Sequence, residues 1–133
     1  ILQRVQTHQQ VASIMQRADI GVFPSRAEGW NLEALEMMAL GKQVILTDYS
    51  AHTEFATDKN SKLISIDNTE DAYDGIWFNG QGEWASMEES QISQLVSYMR
   101  ECYENKNKIN EEGIATAKKF TWDNCAQRIL EAI

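Results

Sequence analysis

Two short apolar runs, "IGVF" and "QVILTD", stand on either side of a stretch in which Leu32, Leu35, Met38 and Ala39 recur at helical spacing. Apolar runs of this length bounded by turn residues suit strands buried on both faces, and Pro24 ends the first at residue 23 or 24. Gly41 supplies a helix stop, so a helix is predicted from about 31 to 40. Strand, helix and strand joined by short connections make a βαβ unit, whose strands lie parallel. The chain is thereby committed to an α/β fold, with a parallel sheet covered by helices on both faces.

The remaining sequence extends this pattern. "ILQRV" alternates apolar and polar residues as a strand does, and Thr7-His8-Gln9-Gln10 is a capping box that opens a helix with Val11, Ile14, Met15 and Ala18 on one face. "SAHTEFAT" reads as one or two helical turns and "KLISI" as a further strand. Residues 67–87 have no clear period and hold three of the seven glycines and two of the four tryptophans, so a long functional or partner-facing loop is expected there. From residue 88 the pattern is helical: Ile92, Leu95, Val96, Met99 and Tyr103 form a stripe, followed by helices in "EEGIATAKKF" and "WDNCAQRILEAI".

With 133 residues, 43% of them hydrophobic, residues 1–133 make a single domain, and a start at Ile1 within a strand reads as a piece of something longer. The formal charge of −8 disfavours nucleic acid and anionic membrane surfaces as partners, while a local anion site built from backbone N–H groups is still allowed. Cys102 and Cys125 fit no metal spacing and read as free thiols of a cytoplasmic protein. No stretch approaches the ~20 apolar residues of a transmembrane segment, and the N-terminus does not read as a signal peptide.

Parallel sheets bind ligands at the carboxyl ends of their strands, in loops that lead into helices. Ser25 to Asn31 is such a loop: Gly29 permits a tight turn or close approach, and the N–H groups of about residues 30 to 33 form an anion site at the helix start. Glu33 complements the helix dipole. Glu36, between Leu35 and Ala39, is expected to be partly buried and so to need donors, which ligand hydroxyls can supply. Glu28 taken alone reads as a solvated loop residue. Were the span wholly helical, the Cα atoms of Glu28 and Glu36 would lie about 12 Å apart, unlike the carboxyl pairs of glycoside hydrolases. Two carboxylates holding different parts of one extended polar ligand fit better.

"ADIGVFPSRAEGWNLEALEMMALGKQVILTD" resembles the donor-binding segment of retaining, metal-independent glycosyltransferases of the GT-B fold, the glycosyl transferases group 1 of family 4 type. Ala18-Asp19, Pro24-Ser25, Glu28-Gly29, Glu36 and Gly41 match in order and spacing, including the E-x7-E. The resemblance implies a Rossmann-like sheet, the C-terminal half of a GT-B fold, ending in a helical segment. It implies a nucleotide-diphospho-sugar as substrate, no cofactor and no metal, and an acceptor sugar, lipid or protein held by a separate N-terminal domain. Glu28 would contact the donor sugar and serve catalysis, Gly29, Trp30, Asn31 and Leu32 would face sugar and diphosphate, and Glu36 would bond the ribose. Arg26, the only basic side chain beside the motif, reads either as an exposed loop arginine or as a partial substitute for the family's diphosphate clamp. Trp30, Asn31 and Glu33 depart from the family's Phe, Gly or Ser, and Pro.

Further candidates carry less signal. His8 lies either near the nucleobase end or as a plain first-turn residue after a cap, His52 lies where either a ligand or a capping role fits, and Glu54 matches an acid common in this segment of the family and reads as a support of its loop. Trp77, Phe78 and Trp84 either face a partner or anchor their own loop. Faces left open by a missing part could support a homodimer. A noncatalytic sugar-nucleotide binding module and a structural or interaction fragment are the alternative functions.

Overall fold

Val44 and Leu46 point to one side of their strand and Ile45 to the other, and this alternation divides the core in two. The protein is described from a computed structural model, and the structure describes residues 5–133. The strand expected at "ILQRV" therefore lies, apart from Val5, outside the described residues.

The first elements are α1 (His8–Arg17), β1 (Ile20–Phe23), α2 (Leu32–Ala39) and β2 (Gln43–Thr47), followed by a 3-10 turn (Ser50–Glu54) and β3 (Lys62–Ile64). Strands β1, β2 and β3 pair in that order, all parallel, with Val22 opposite Ile45 and Leu46 opposite Leu63. The Rossmann-like α/β reading holds. Thr7 caps α1 in the expected box: its hydroxyl accepts the Gln10 N–H at 3.3 Å and the Gln10 side chain accepts the Thr7 N–H at 3.1 Å. Gly41 closes α2 in a left-handed conformation (φ 71°), where Gly41 N–H donates to Met38 O and Lys42 N–H to Met37 O.

One core half packs Ala34, Leu35, Met37 and Met38 of α2 against Val44, Leu46 and Phe55, with Met15 and Ala117 at its margin. The other packs Ile45 and Ile64 against Cys102 of α3 (Glu89–Glu104), flanked by Leu95 and Tyr98. Helices thus cover both faces of the sheet. Burial pushes the Cys102 thiol up, away from reactivity. The apolar stripe read from the sequence is rotated relative to this packing: Gln91 and Cys102 are buried, whereas Ile92, Val96, Met99 and Tyr103 are exposed. Hydrogen bonds fix that rotation. Gln91 donates to Ser65 O and Asp67 Oδ2 at 3.1 Å each, and Lys62 Nζ lies 2.6 Å from Glu101 Oε1.

The expected loop at 67–87 is instead largely an antiparallel hairpin, β4 (Thr69–Tyr73) and β5 (Asn79–Ala85), with a register shift between Asp71 and Tyr73. It was hidden because both of its faces are mostly polar and exposed, so no apolar alternation marks it. Beyond α4 (Glu111–Ala117), α5 (Trp122–Glu131) has no buried residue. Among the described residues no helix is long and apolar enough to cross a membrane.

Candidate functional site

Pro24 stops β1, and the chain then runs over the carboxyl end of β2 before α2 begins, which sets residues 25–31 against residues 47–52. Thr47, the buried last residue of β2, donates its hydroxyl to Ser25 O at 2.6 Å. The Ser25 hydroxyl in turn donates to Glu28 Oε1 at 2.7 Å. Ser50 holds the backbone of Glu28 at both ends, its Oγ accepting the Glu28 N–H at 2.8 Å and donating to Glu28 O at 3.1 Å. One hydroxyl here does what a strand neighbour does in a sheet.

Asn31 caps α2 from a left-handed conformation (φ 70°, ψ 70°), a region its short amide tolerates better than most side chains. Its Oδ1 accepts the Ala34 N–H at 3.2 Å, which turns Nδ2 toward His52 Nε2, 2.9 Å away. His52 is 1% exposed, and its Nδ1 lies 3.0 Å from Thr47 O. The network assigns the proton to Nδ1, donating to that carbonyl, and leaves Nε2 to accept from Asn31. Burial lowers the pKa of His52 from its ordinary value of 6.5, against the opposing pull of the Thr47 carbonyl and the Glu28 charge. A neutral imidazole is what the relay requires.

The site residues expected from the sequence divide into three groups. Glu28, Gly29 and Asn31 share the loop at the carboxyl ends of β1 and β2. Gly29 is exposed, and among the described residues a Cβ built on it would meet nothing within 4 Å. Trp30 turns its ring into an aromatic cluster, 5.9 Å from the Phe55 ring and 5.5 Å from that of Phe120, while Leu32 is half-exposed.

Arg26 and Glu36 depart from expectation. Arg26 Nε donates to Ala85 O at 2.8 Å, the guanidinium pairs with Glu70, and its Cζ sits 4.3 Å from the Trp84 ring centroid. It fastens the hairpin to the loop instead of standing free for an anion. Glu36 is exposed, not partly buried, because Ala34, Leu35, Met37 and Met38 take the inward positions of α2. The need for donors argued from burial falls away with it. His8 is an exposed first-turn residue and Glu54 is exposed at the end of the 3-10 turn.

Sequence reasoning missed Thr47 and Ser50, and left His52 divided between ligand and cap when it supports the cap of another element. The only signal was the density of hydroxyl and imidazole groups in "TDYSAHTE" directly after a strand.

The family model described as Glycosyl transferases group 1 matches residues 1–77, more than half of the chain and all of the loop just described. An uncharacterized glycosyltransferase of Methanocaldococcus jannaschii is 27% identical over 120 residues, covering 90% of this chain and 29% of the relative. The chain thus spans less than a third of the length of that curated relative.

Proposed function

The chain belongs to the glycosyl transferases group 1, and from that membership we propose that residues 25–36 bind the nucleotide-diphospho-sugar donor of a retaining sugar transfer. The chain would be the C-terminal half of a GT-B fold, its acceptor held by an N-terminal domain, with no metal and no cofactor needed. The observation that carries this reading is the open space before Gly29, bordered by the Glu28 carboxylate and the start of α2. Ser25 occupies Oε1 of Glu28, so Oε2 is the acceptor for a sugar hydroxyl. The cap takes the Ala34 N–H, and those of Leu32 and Glu33, orphaned at the helix start, suit a diphosphate.

In the transfer, the bond from the anomeric carbon to the diphosphate breaks as the acceptor oxygen bonds the same face. The departing diphosphate takes the acceptor's proton. The negative charge of Glu28 beside the ring stabilises the positive charge that develops on it. Glu36 on the outer face of α2 bonds the ribose. With Arg26 engaged by the hairpin, this part alone holds the donor weakly, and turnover belongs to the longer protein.

Calorimetric titration of this chain with UDP-, GDP- and ADP-sugars tests the proposal. Saturable heat with one donor is expected, and silence with all three counts against it. Sugar transfer by the longer parent protein then separates an enzyme from a noncatalytic binding module.

A further inference from the structure

Asn31 and His52 meet through groups that each have a second commitment. The Asn31 Oδ1 accepts the Ala34 N–H at 3.2 Å to cap α2, which leaves Nδ2, a donor, to face His52 Nε2 at 2.9 Å. His52 Nδ1 donates to Thr47 O at 3.0 Å, and the nearby Thr47 hydroxyl gives its own proton to Ser25 O. The arrangement closes only with an acceptor at Nε2. A proton there sets two donors against each other between two buried side chains. Turning the Asn31 amide over does not resolve the conflict: Oδ1 then meets the ring, but Nδ2 points at the Ala34 N–H and the cap is lost. Turning the ring over fails too, since both nitrogens of an imidazolium are donors.

The surroundings of the ring say what acts on that proton. Thr47 of β2, Asn31 at the start of α2 and the Phe55 ring, edge-on with centroids 6.1 Å apart, are neutral. Glu33 and Glu36 of α2, Asp48 and Glu54 on either side of His52 in sequence, and Lys118 and Lys119 next to Phe120 are all exposed. Tyr49 gives its hydroxyl to Glu83 O in the hairpin. Among the described residues the Glu28 carboxylate is the charge that acts on the imidazole. Burial favours the neutral ring, while the Thr47 carbonyl and Glu28 pull the other way, so a balance and not burial alone holds the proton off. One loop thus supplies both the carboxylate read as facing the donor sugar and the charge that draws a proton to the ring.

We propose that His52 is a positioning residue of the donor loop, and that a proton on its Nε2 and the sugar-nucleotide donor exclude one another, so that the loop releases its donor as the pH falls. With the cap lost, the first turn of α2 loosens and the N–H groups offered to the diphosphate lose their fixed direction. The inference rests on the reading of residues 25–36 as the donor site, and adds an acid-operated regulation of that site. The donor does not supply the pH dependence itself, because a diphosphate esterified at both ends has no group that titrates near an imidazole.

NMR of this chain without donor, from about pH 8 to about pH 5, reads the link between ring and cap. The Ala34 amide and the Asn31 side-chain amide should shift in step with protonation of His52, whose imidazole signal is identified by its loss in His52→Asn. Calorimetry with UDP-glucose, GDP-mannose and ADP-glucose over the same range reads the exclusion. Affinity for a donor that binds should be halved where free His52 is half-protonated and fall about tenfold for each unit below. His52→Asn should bind that donor with an affinity that does not change with pH, whereas a purely structural His52 predicts a weaker variant with the pH profile of the unmutated chain. Saturating donor should also move the His52 titration of the unmutated chain to lower pH, a reading that needs no variant. Ala34 and Asn31 signals that stay fixed while His52 titrates, or a His52 that stays neutral down to the pH of unfolding, overturn the proposal. So does donor affinity that is level or rises on acidification. Coupled shifts of His52 and Ala34 with no heat from any of the three donors reject the donor reading of residues 25–36, and the exclusion with it, while upholding His52 as the residue that positions the loop.

Discussion

Asn31 Nδ2 and His52 Nε2 lie 2.9 Å apart, joining the cap of α2 to the 3-10 turn that follows β2. Both residues are buried, so neither can exchange this bond for water without moving the loop that carries Glu28. The geometry of the proposed donor loop is therefore set in part by one side-chain amide and one imidazole.

Asn31→Ala removes the cap and leaves His52 Nε2 without its donor, at a combined cost of about 2 to 4 kcal/mol. Asn31→Gly loses the same bonds but adopts the left-handed backbone freely, and should be more stable than the Ala variant by about 1 kcal/mol. Urea unfolding of the two variants checks the order. An Ala variant as stable as the Gly variant would show that the conformation at residue 31 carries no strain.

The folded-state pKa of His52 is lowered, so the unfolded chain takes up its proton more readily. The stability held by the neutral relay is complete above the ordinary value of 6.5 and is lost as pH falls from there through the folded-state pKa. His52→Asn cannot titrate. It should be less stable than the parent at neutral pH, with the difference narrowing on acidification. Urea midpoints measured at about pH 7.5 and about pH 5.5 test this, since the carboxylates contribute to both proteins alike. A constant gap would remove His52 as the source.

Ser50→Ala frees both the N–H and the carbonyl of Glu28, with a cost of about 1 kcal/mol because water can partly replace the hydroxyl. Amide hydrogen exchange at Glu28 should accelerate while that of the β2 amides is unchanged. Exchange that rises equally across the sheet would mean that Ser50 supports the whole fold and not the loop.

Arg26→Met keeps apolar contact with Trp84 but removes the bond to Ala85 O and the pair with Glu70. The pair is half-exposed and contributes little by itself, so global stability should change by less than about 1 kcal/mol. Exchange in β4 and β5 should accelerate selectively. Unaltered hairpin protection would refute the fastening role.

For the proposed donor site, Glu28→Gln should impair turnover by a longer protein that carries this chain far more than donor affinity, whereas Glu36→Ala should weaken nucleotide binding. Loss of the Glu28 charge also removes one influence that raises the His52 pKa, so that pKa should fall further. Kinetics of that longer protein and imidazole titration by NMR provide the two readings. Wild-type behaviour of both variants would displace the site from this loop.

The βαβ core was legible because burial on both sheet faces leaves runs such as "QVILTD" that no exposed segment imitates. Glu28, Gly29 and Asn31 were placed correctly at the strand ends by the same reasoning. The hairpin escaped because its strands are stabilised by backbone pairing and by Arg26, contacts that leave no hydrophobic period. Glu36 was misjudged because adjacent apolar residues in α2 do not reveal on which side of the helix a carboxylate emerges. The relay through Thr47, Ser50 and His52 left only a crowding of polar groups after β2, since its partners in the loop lie 21 or 22 residues away and obey no spacing rule.

Those separations carry a consequence for assembly. Glu28–Ser50 and Asn31–His52 close loops of 22 and 21 residues, whereas Arg26–Ala85 closes one of 59. The longer closure costs about 0.9 kcal/mol more in chain entropy. Pulse-labelled hydrogen exchange should then find the Glu28 amide protected before that of Ala85. The clamp on the loop matures with the first βαβ unit, the hairpin latches onto a loop already shaped, and under mild denaturant the latch opens first.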